Sequence, residues 1–201
     1  MGLLQFNEPV SVTVLDPAPG DLADEGPVAV VADLDNHRLA LWRLRDGSLL
    51  RHLGSHGDAP GQFLGPRSVA VTRAGELVVG DGGNRRVQVL TVTGTCVCVL
   101  DPSSVLGVGS LSDWLLGVAV YDTTGEVMVS DGRNGRVVAL RRRCDDGVFT
   151  SADHALAGCV GARAFEGDGA GRLSEPQGCV VMGTGRMWVA DYERHRVWLF
   201  R

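Results

Sequence analysis

Four copies of one short pattern, an Asp followed five residues later by an Arg between Val-rich runs, constrain this chain more than any other feature. The copies span Val31–Trp42, Val79–Leu90, Val129–Leu140 and Val189–Phe200. Asp33, Asp81, Asp131 and Asp191 thereby head pairs with Arg38, Arg86, Arg136 and Arg196, at Asp-to-Asp steps of 48, 50 and 60 residues. Self-similarity at such a period marks a repeat architecture, in which each unit is too small to bury its own faces and stacks on its neighbours instead.

A second signature precedes each copy: an aromatic or Leu, two residues, Pro, then a Val-alternating run. It reads Phe6-Asn-Glu-Pro9, Phe63-Leu-Gly-Pro66 and Leu173-Ser-Glu-Pro176. In the third unit Leu111 to Gly117 replaces it, without the Pro and with one more residue. Taking the second unit as type, Val69–Val71, Leu77–Gly80, Val87–Leu90 and Thr95–Leu100 read as strands a to d joined by turns. The Asp closes strand b and the Arg opens strand c, so a charge-assisted hydrogen bond clips the hairpin. Asn36, Asn84 and Asn134, three of the four Asn in the chain, fall three residues after an Asp, where Asn or Gly tolerates positive φ. A four-stranded antiparallel sheet of roughly 40 to 50 residues, repeated radially, gives a β-propeller.

The recurring V-A-D-x-x-N-H-R-[VL] pattern, preceded by G-Q-F-x-x-P as in Gly61–Pro66, resembles the NHL repeat, and Asn36-His37-Arg38-Leu39 comes near its signature. The resemblance covers nearly the whole chain as units at about 5–54, 57–102, 107–161 and 167–201 of a single domain, 1–201. The expected fold class is all-β, a β-propeller or propeller segment of about four NHL-like four-stranded antiparallel blades. Propellers of this family usually have six blades, more than this chain encodes, so the expectation is an open arc, a truncated ring, or a homodimer through exposed blade edges.

Composition adds limits. With 44% hydrophobic and 21% charged residues and a net charge of −5, the sequence expects a water-soluble globular chain. No run approaches the roughly 18 apolar residues of a membrane helix, and residues 1–10 lack the features of a secretory signal, which makes the cytoplasm the expected compartment and excludes a membrane partner. Cys96, Cys98, Cys144, Cys159 and Cys179 are odd in number and form no C-x-x-C pair, as expected of reduced thiols. The absence of Lys and Ile reads as codon bias rather than function.

Regularity in every unit makes Asp33, Arg38, Asp81, Arg86, Asp131, Arg136, Asp191 and Arg196 structural clips, not a catalytic site. Function should break the symmetry, which points to the turn residues between them: His37, Arg85, Arg133, Tyr192, Glu193, Arg194 and His195, with Leu34, Asp35, Gly82, Gly83 and Gly135 on the same surface. Exposed Tyr, His and Arg suit protein contacts. The resemblance implies a non-enzymatic protein-interaction scaffold, with substrate recognition in a ubiquitin-ligase pathway as its family role; a RING would need Cys and His ligand pairs that this chain lacks. RNA binding is the alternative, disfavoured because the four turns carry a summed charge of only +1 and the basic run Arg141–Arg143 is followed by Asp145 and Asp146. A metal-dependent propeller enzyme, lactonase- or lyase-like, is the second alternative. His37, His52, His56, His154 and His195 show no repeated ligand spacing, Cys96 and Cys98 read as a buried thiol pair on one strand face, and Gly57–Gly61 and Gly167–Gly171 read as interblade turns. No cofactor, metal or catalytic residue is expected.

Overall fold

The structure is a computed structural model, and it describes residues 5–16, 18–101, 103, 109–121, 125–140, 162–165, 173–182 and 186–200. The expected sites Arg141–Arg143, Asp145, Asp146, Cys144, His154, Cys159 and Gly167–Gly171 lie outside them. The described residues form antiparallel sheets in sequence order. Blade 1 holds β1 (Pro9–Leu15), β2 (Val28–Asp33), β3 (Arg38–Arg43) and β4 (Ser48–Leu53). Blade 2 holds β5 (Pro66–Val71), β6 (Leu77–Asp81), β7 (Arg86–Leu90) and β8 (Cys96–Leu100). Blade 3 holds β9 (Leu115–Val120), β10 (Val127–Asp131), β11 (Arg136–Leu140) and β12 (Ala162–Phe165), and blade 4 holds β13 (Pro176–Met182), β14 (Arg186–Asp191) and β15 (Arg196–Phe200).

The all-β propeller expectation therefore holds, with the blades forming an open arc. One detail differs from the sequence reading: the outer strand of blade 3 is Ala162–Phe165, paired to β11, so that unit runs past residue 161. Among the described residues blade 4 has three strands, β13 to β15.

The inner strands stand side by side, β1 against β5, β5 against β9 and β9 against β13. Each carries a bulge at its start. Pro9, Pro66, Leu115 and Pro176 face Asp33, Asp81, Asp131 and Asp191, and the register then slips. Pro lacks the N–H a ladder needs, so it is tolerated at a strand's first residue beside a bulge. This explains why the Pro motif and the Asp motif recur together.

Between the blades lie apolar cores. Val30, Leu39 and Leu41 of blade 1 meet Val69, Leu77 and Val79 of blade 2. Val78, Val87 and Val89 of blade 2 meet Leu115, Val118 and Val129 of blade 3. Met128, Val137 and Ala139 then meet Met187 and Val189 of blade 4. The residue that opens each upstream motif plugs the junction: Phe63, Leu111 and Leu173 are all buried, one in each core. Alternation of side chains along each strand delivers one residue to the core behind and the next to the core ahead, so these strands are apolar on both faces.

Candidate functional site

Each Asp of the repeat is buried and ties three segments together. Asp81 accepts from the Leu64 N–H (2.8 Å), the Asn84 amide (2.8 Å), Arg86 Nε (2.9 Å) and the Gln88 amide (3.0 Å). Asp33 accepts from the Asn7 N–H (2.7 Å), Asn36 (2.8 Å) and Arg38 Nε (2.8 Å). Asp131 repeats this with the Ser112 N–H (3.0 Å), Asn134 (2.9 Å) and Arg136 Nε (2.9 Å). The backbone donors Asn7 and Leu64 stand two residues before the Pro, while Ser112 stands three before Leu115, which absorbs the extra residue of the third unit. The Arg reaches onward: Arg86 donates to the carbonyls of Asp58 (2.6 Å), Ala59 (3.0 Å) and Gln62 (3.0 Å), and Arg136 to that of Ser110 (2.9 Å). The clip is thus a bracket that fixes the hairpin turn to the incoming interblade loop.

Burial pushes the Asp33 carboxyl up, but the hydrogen bonds from Asn7, Asn36 and Arg38 and the attraction of the Arg38 guanidinium outweigh it and hold the group below the ordinary Asp range. At nearby His52, burial and then the positive charge of Arg38 lower the imidazole below its usual value, against a smaller opposing pull from Asp33.

Two sequence expectations need correction. Asn36, Asn84 and Asn134 do not supply positive φ; that falls to the next residue, His37 (52°), Arg85 (55°) and Gly135 (59°). The Asn side chain instead donates to the Asp carboxylate, and the last turn residue takes the left-handed conformation that lets Arg open the next strand. In the fourth unit, Asp191 accepts from the N–H groups of Ser174 (3.1 Å) and Glu175 (2.9 Å) and from Trp198 Nε1 (3.3 Å). Among the described residues no ion pair joins it to Arg196, which is exposed. Trp198 occupies the register position of Gln88, and its indole takes up the carboxylate oxygen that Arg and Asn share elsewhere.

Because the turns and interblade loops are bracketed, they share one end of the arc. His37, Arg85, Arg133, Tyr192, Glu193, Arg194 and His195 all lie there, and all but half-buried His37 are exposed. Leu34 and Gly82, expected on that surface, are buried instead. His37 Nδ1 accepts from the Gly65 N–H (3.0 Å), and its ring packs edge-on against His56 at 4.6 Å, which ties blade 1 to the loop leading into blade 2.

The residue that sequence reasoning missed is Trp114. It precedes β9 in the junction where the upstream motif loses its Pro, and its carbonyl holds the Gly132 N–H (3.0 Å). The residue remains 39% exposed, with the Arg133 guanidinium 5.2 Å and that of Arg67 5.8 Å from its ring centre. Arg133 is in turn paired with Asp113 at 2.8 Å. A hollow of about 330 Å³ beside the ring is lined by Trp114, Arg133, Ser174, Glu175 and Glu193.

The remaining candidates carry less. Among the described residues no cluster of three or more His, Cys, Asp or Glu is placed to hold a metal ion. Cys98 shares a core with Val89, whereas a bulge sets Cys96 against Leu90, whose side chain belongs to the opposite face, so the two thiols are not a pair on one face. A trough of about 900 Å³ runs between the inner strands, lined by residues of β1, β5, β9 and β13. No described helix is long and apolar enough to cross a membrane.

Residues 63–90, which hold the Phe63 plug, Pro66 and the Asp81 bracket, match the NHL repeat family. The chain carries an NHL repeat. It is 29% identical over 153 residues to the E3 ubiquitin-protein ligase TRIM32 of Homo sapiens and 28% identical to that of Mus musculus, covering 75% of this chain. It spans 21% of the length of these relatives. Among solved structures, the arc of NHL-like blades superposes on a chain of the Chaetomium thermophilum Polycomb Repressive Complex 2 bound to GSK126, with a TM-score of 0.64, 15% identity, and coverage of 95% of this chain and 38% of that one. It also superposes on a streptogramin B lyase, with a TM-score of 0.61, 9% identity, and coverage of 97% and 55%. At such identities the likeness is one of fold.

Proposed function

We propose that this chain is a non-enzymatic protein-interaction module that holds a protein partner on the loop end of its blades and serves substrate recognition in a ubiquitin-ligase pathway. The observation that carries this reading is Trp114, a large aromatic kept at the surface near two guanidinium groups and beside a hollow. Trp and Arg dominate the binding energy of protein interfaces, and a side chain already fixed in place loses little entropy on docking. The brackets beneath it hold the loops in one geometry before any partner arrives. Acidic Asp113, Glu175 and Glu193 intersperse the Arg residues, a pattern suited to a mixed protein surface rather than to a run of phosphates. The pathway assignment rests on the likeness to E3 ubiquitin-protein ligases.

The test is partner capture with the full chain in three forms: unaltered, Trp114→Ala, and Arg73→Ala. Arg73 is exposed in the turn after β5, at the opposite end of the blade. Loss of an interface anchor of about 2 kcal/mol weakens binding about 30-fold, so Trp114→Ala should lose a partner that Arg73→Ala retains. Equal recovery of every bound protein by both variants would refute the reading, and binding that falls steeply with salt and is sensitive to nuclease would replace it with RNA recognition.

A further inference from the structure

Each inner strand opens on a bulge, and the residues left out of the ladder there are Val10 in blade 1, Arg67 in blade 2, Leu116 in blade 3, and Gln177 with Gly178 in blade 4. A bulge frees its extra residue from pairing and re-aims the side chain. In blade 3 that side chain lies over the first turn residue, where a Cβ on Gly132 would stand 2.7 Å from Leu116 Cδ1. In blade 2 the same place is taken by Arg67, whose Cδ is 3.4 Å from where a Cβ on Gly82 would stand. Arg67 is the charged residue among these bulge positions, and it sits where the repeat otherwise puts apolar or neutral groups.

The company it keeps also sets it apart. Arg38, Arg86 and Arg136 are paired with the Asp of their own brackets, and Arg133, which shares the Trp114 ring with Arg67, is paired with Asp113. Half-buried Arg67 makes no ion pair or side-chain hydrogen bond among the described residues; its guanidinium rests 5.8 Å from the centre of the Trp114 ring. A guanidinium presents its N–H donors in a planar fork that matches a carboxylate, and one already laid over a ring and a glycine loses little freedom on being bound. The charge changes sign toward blade 4, where Glu175 and Glu193 line the hollow beside Trp114.

We propose that Arg67 receives the carboxylate of an Asp or Glu side chain in the partner segment that docks on Trp114, and that this segment is neutral or basic where it runs toward blade 4. The proposal rests on the loop-end reading above. A run of acidic residues or a phosphate backbone would lay negative charge across Glu175 and Glu193, so the surface accommodates a single carboxylate on its blade 2 side.

A displayed library of random dodecapeptides, joined to its carrier through the peptide C-terminus so that only side-chain carboxylates are offered, tests this by selection on the full chain. Selected peptides, resynthesised with a blocked C-terminus for calorimetric titration, should carry Asp or Glu beside an apolar residue. Arg67→Gln keeps the stem over Gly82 and should weaken binding about 10-fold or more, the worth of a charge-assisted hydrogen bond. Changing the peptide's acid to its amide should cost the same, and reads the same contact if Arg67→Gln does not fold. Both changes together should cost little more than either alone, and Arg67→Lys should recover part of the affinity. Selected peptides without a carboxylate, no selected peptide at all, or additive losses in that cycle would overturn the proposal. Binding abolished by Trp114→Ala but unaffected by Arg67→Gln would overturn it while leaving the loop-end reading in place. Binding that Trp114→Ala leaves intact would remove both.

Discussion

Asp81→Ala tests the bracket at its best-connected point. The carboxylate is fully buried and receives four donors. Its loss strands the Leu64 N–H, at a cost of about 1–3 kcal/mol for an unmet buried donor. Arg86 loses a charge-assisted bond of about 1.5–3 kcal/mol but keeps three carbonyls, so its charge is not abandoned. Asn84 and Gln88 keep the carbonyls of Gly57 and Gln62, and lose about 0.5–1 kcal/mol each. Relief from burying a carboxylate offsets part of this, leaving about 3 kcal/mol, near the lower end of what breaking a buried pair costs. At this chain length that corresponds to roughly 6–12 °C in Tm. Asp191→Ala, with no guanidinium among its partners in the described residues, should cost about 1–2 kcal/mol. Urea unfolding followed by circular dichroism reads both, and Asp81→Asn, which retains an acceptor for Leu64, gives an intermediate value if the Ala variant does not fold. An Asp81→Ala stability within about 0.5 kcal/mol of the parent, or an Asp191 effect larger than that of Asp81, would refute the reasoning.

Gly117→Ala should destabilise by about 1–3 kcal/mol, because a Cβ there would sit 2.4 Å from the Gln177 carbonyl oxygen of the next blade, whereas Gly178→Ala, with open space around it, should be neutral; equal melting temperatures would contradict the packing. Burial pushes the Cys179 thiol up to about 11, so iodoacetamide at pH 8 should leave it unmodified in the native chain and label it in urea, as read by peptide mass spectrometry. The lowered His52 favours the neutral ring in the folded state, so stability should fall as pH drops through 6.5, and His52→Gln should remove that step; a profile flat between pH 7 and 5 in the parent would contradict it. Asp33, lowered in the folded state, contributes stability that is present above 3.8 and lost as pH falls below it, a second acid step that Asp33→Asn should abolish.

The fold was legible because its determinants are local and repeated. The Asp and Arg of each clip lie five residues apart, and the Pro motif announces the bulge that faces the Asp. What escaped lies where the repeat is broken or where partners are distant in sequence. Trp198 rather than Arg196 donates to Asp191, an exchange visible only once position 198 is known to face the carboxylate. Trp114 lies in the junction with an extra residue, where alignment of the units fails. The bulge that separates Cys96 from Cys98 changes their faces without any Gly or Pro between them. The outer strand of blade 3 comes from residues 162–165, too far from β11 for a local hairpin signal. Positive φ falls on the last turn residue in all four units, His195 included, where Arg194 stands in place of Asn, so turn geometry rather than the Asn side chain sets its position.

The central claim is that partner recognition occurs on the bracketed loop end. Hydrogen exchange on the chain with and without a captured partner measures it directly. The account predicts added protection at Ser112–Leu115, Gly132–Arg136 and Tyr192–Arg196, with no change at Thr72–Glu76 at the opposite end. Protection confined to that opposite end, or to the trough-lining strands β5 and β9, would contradict it.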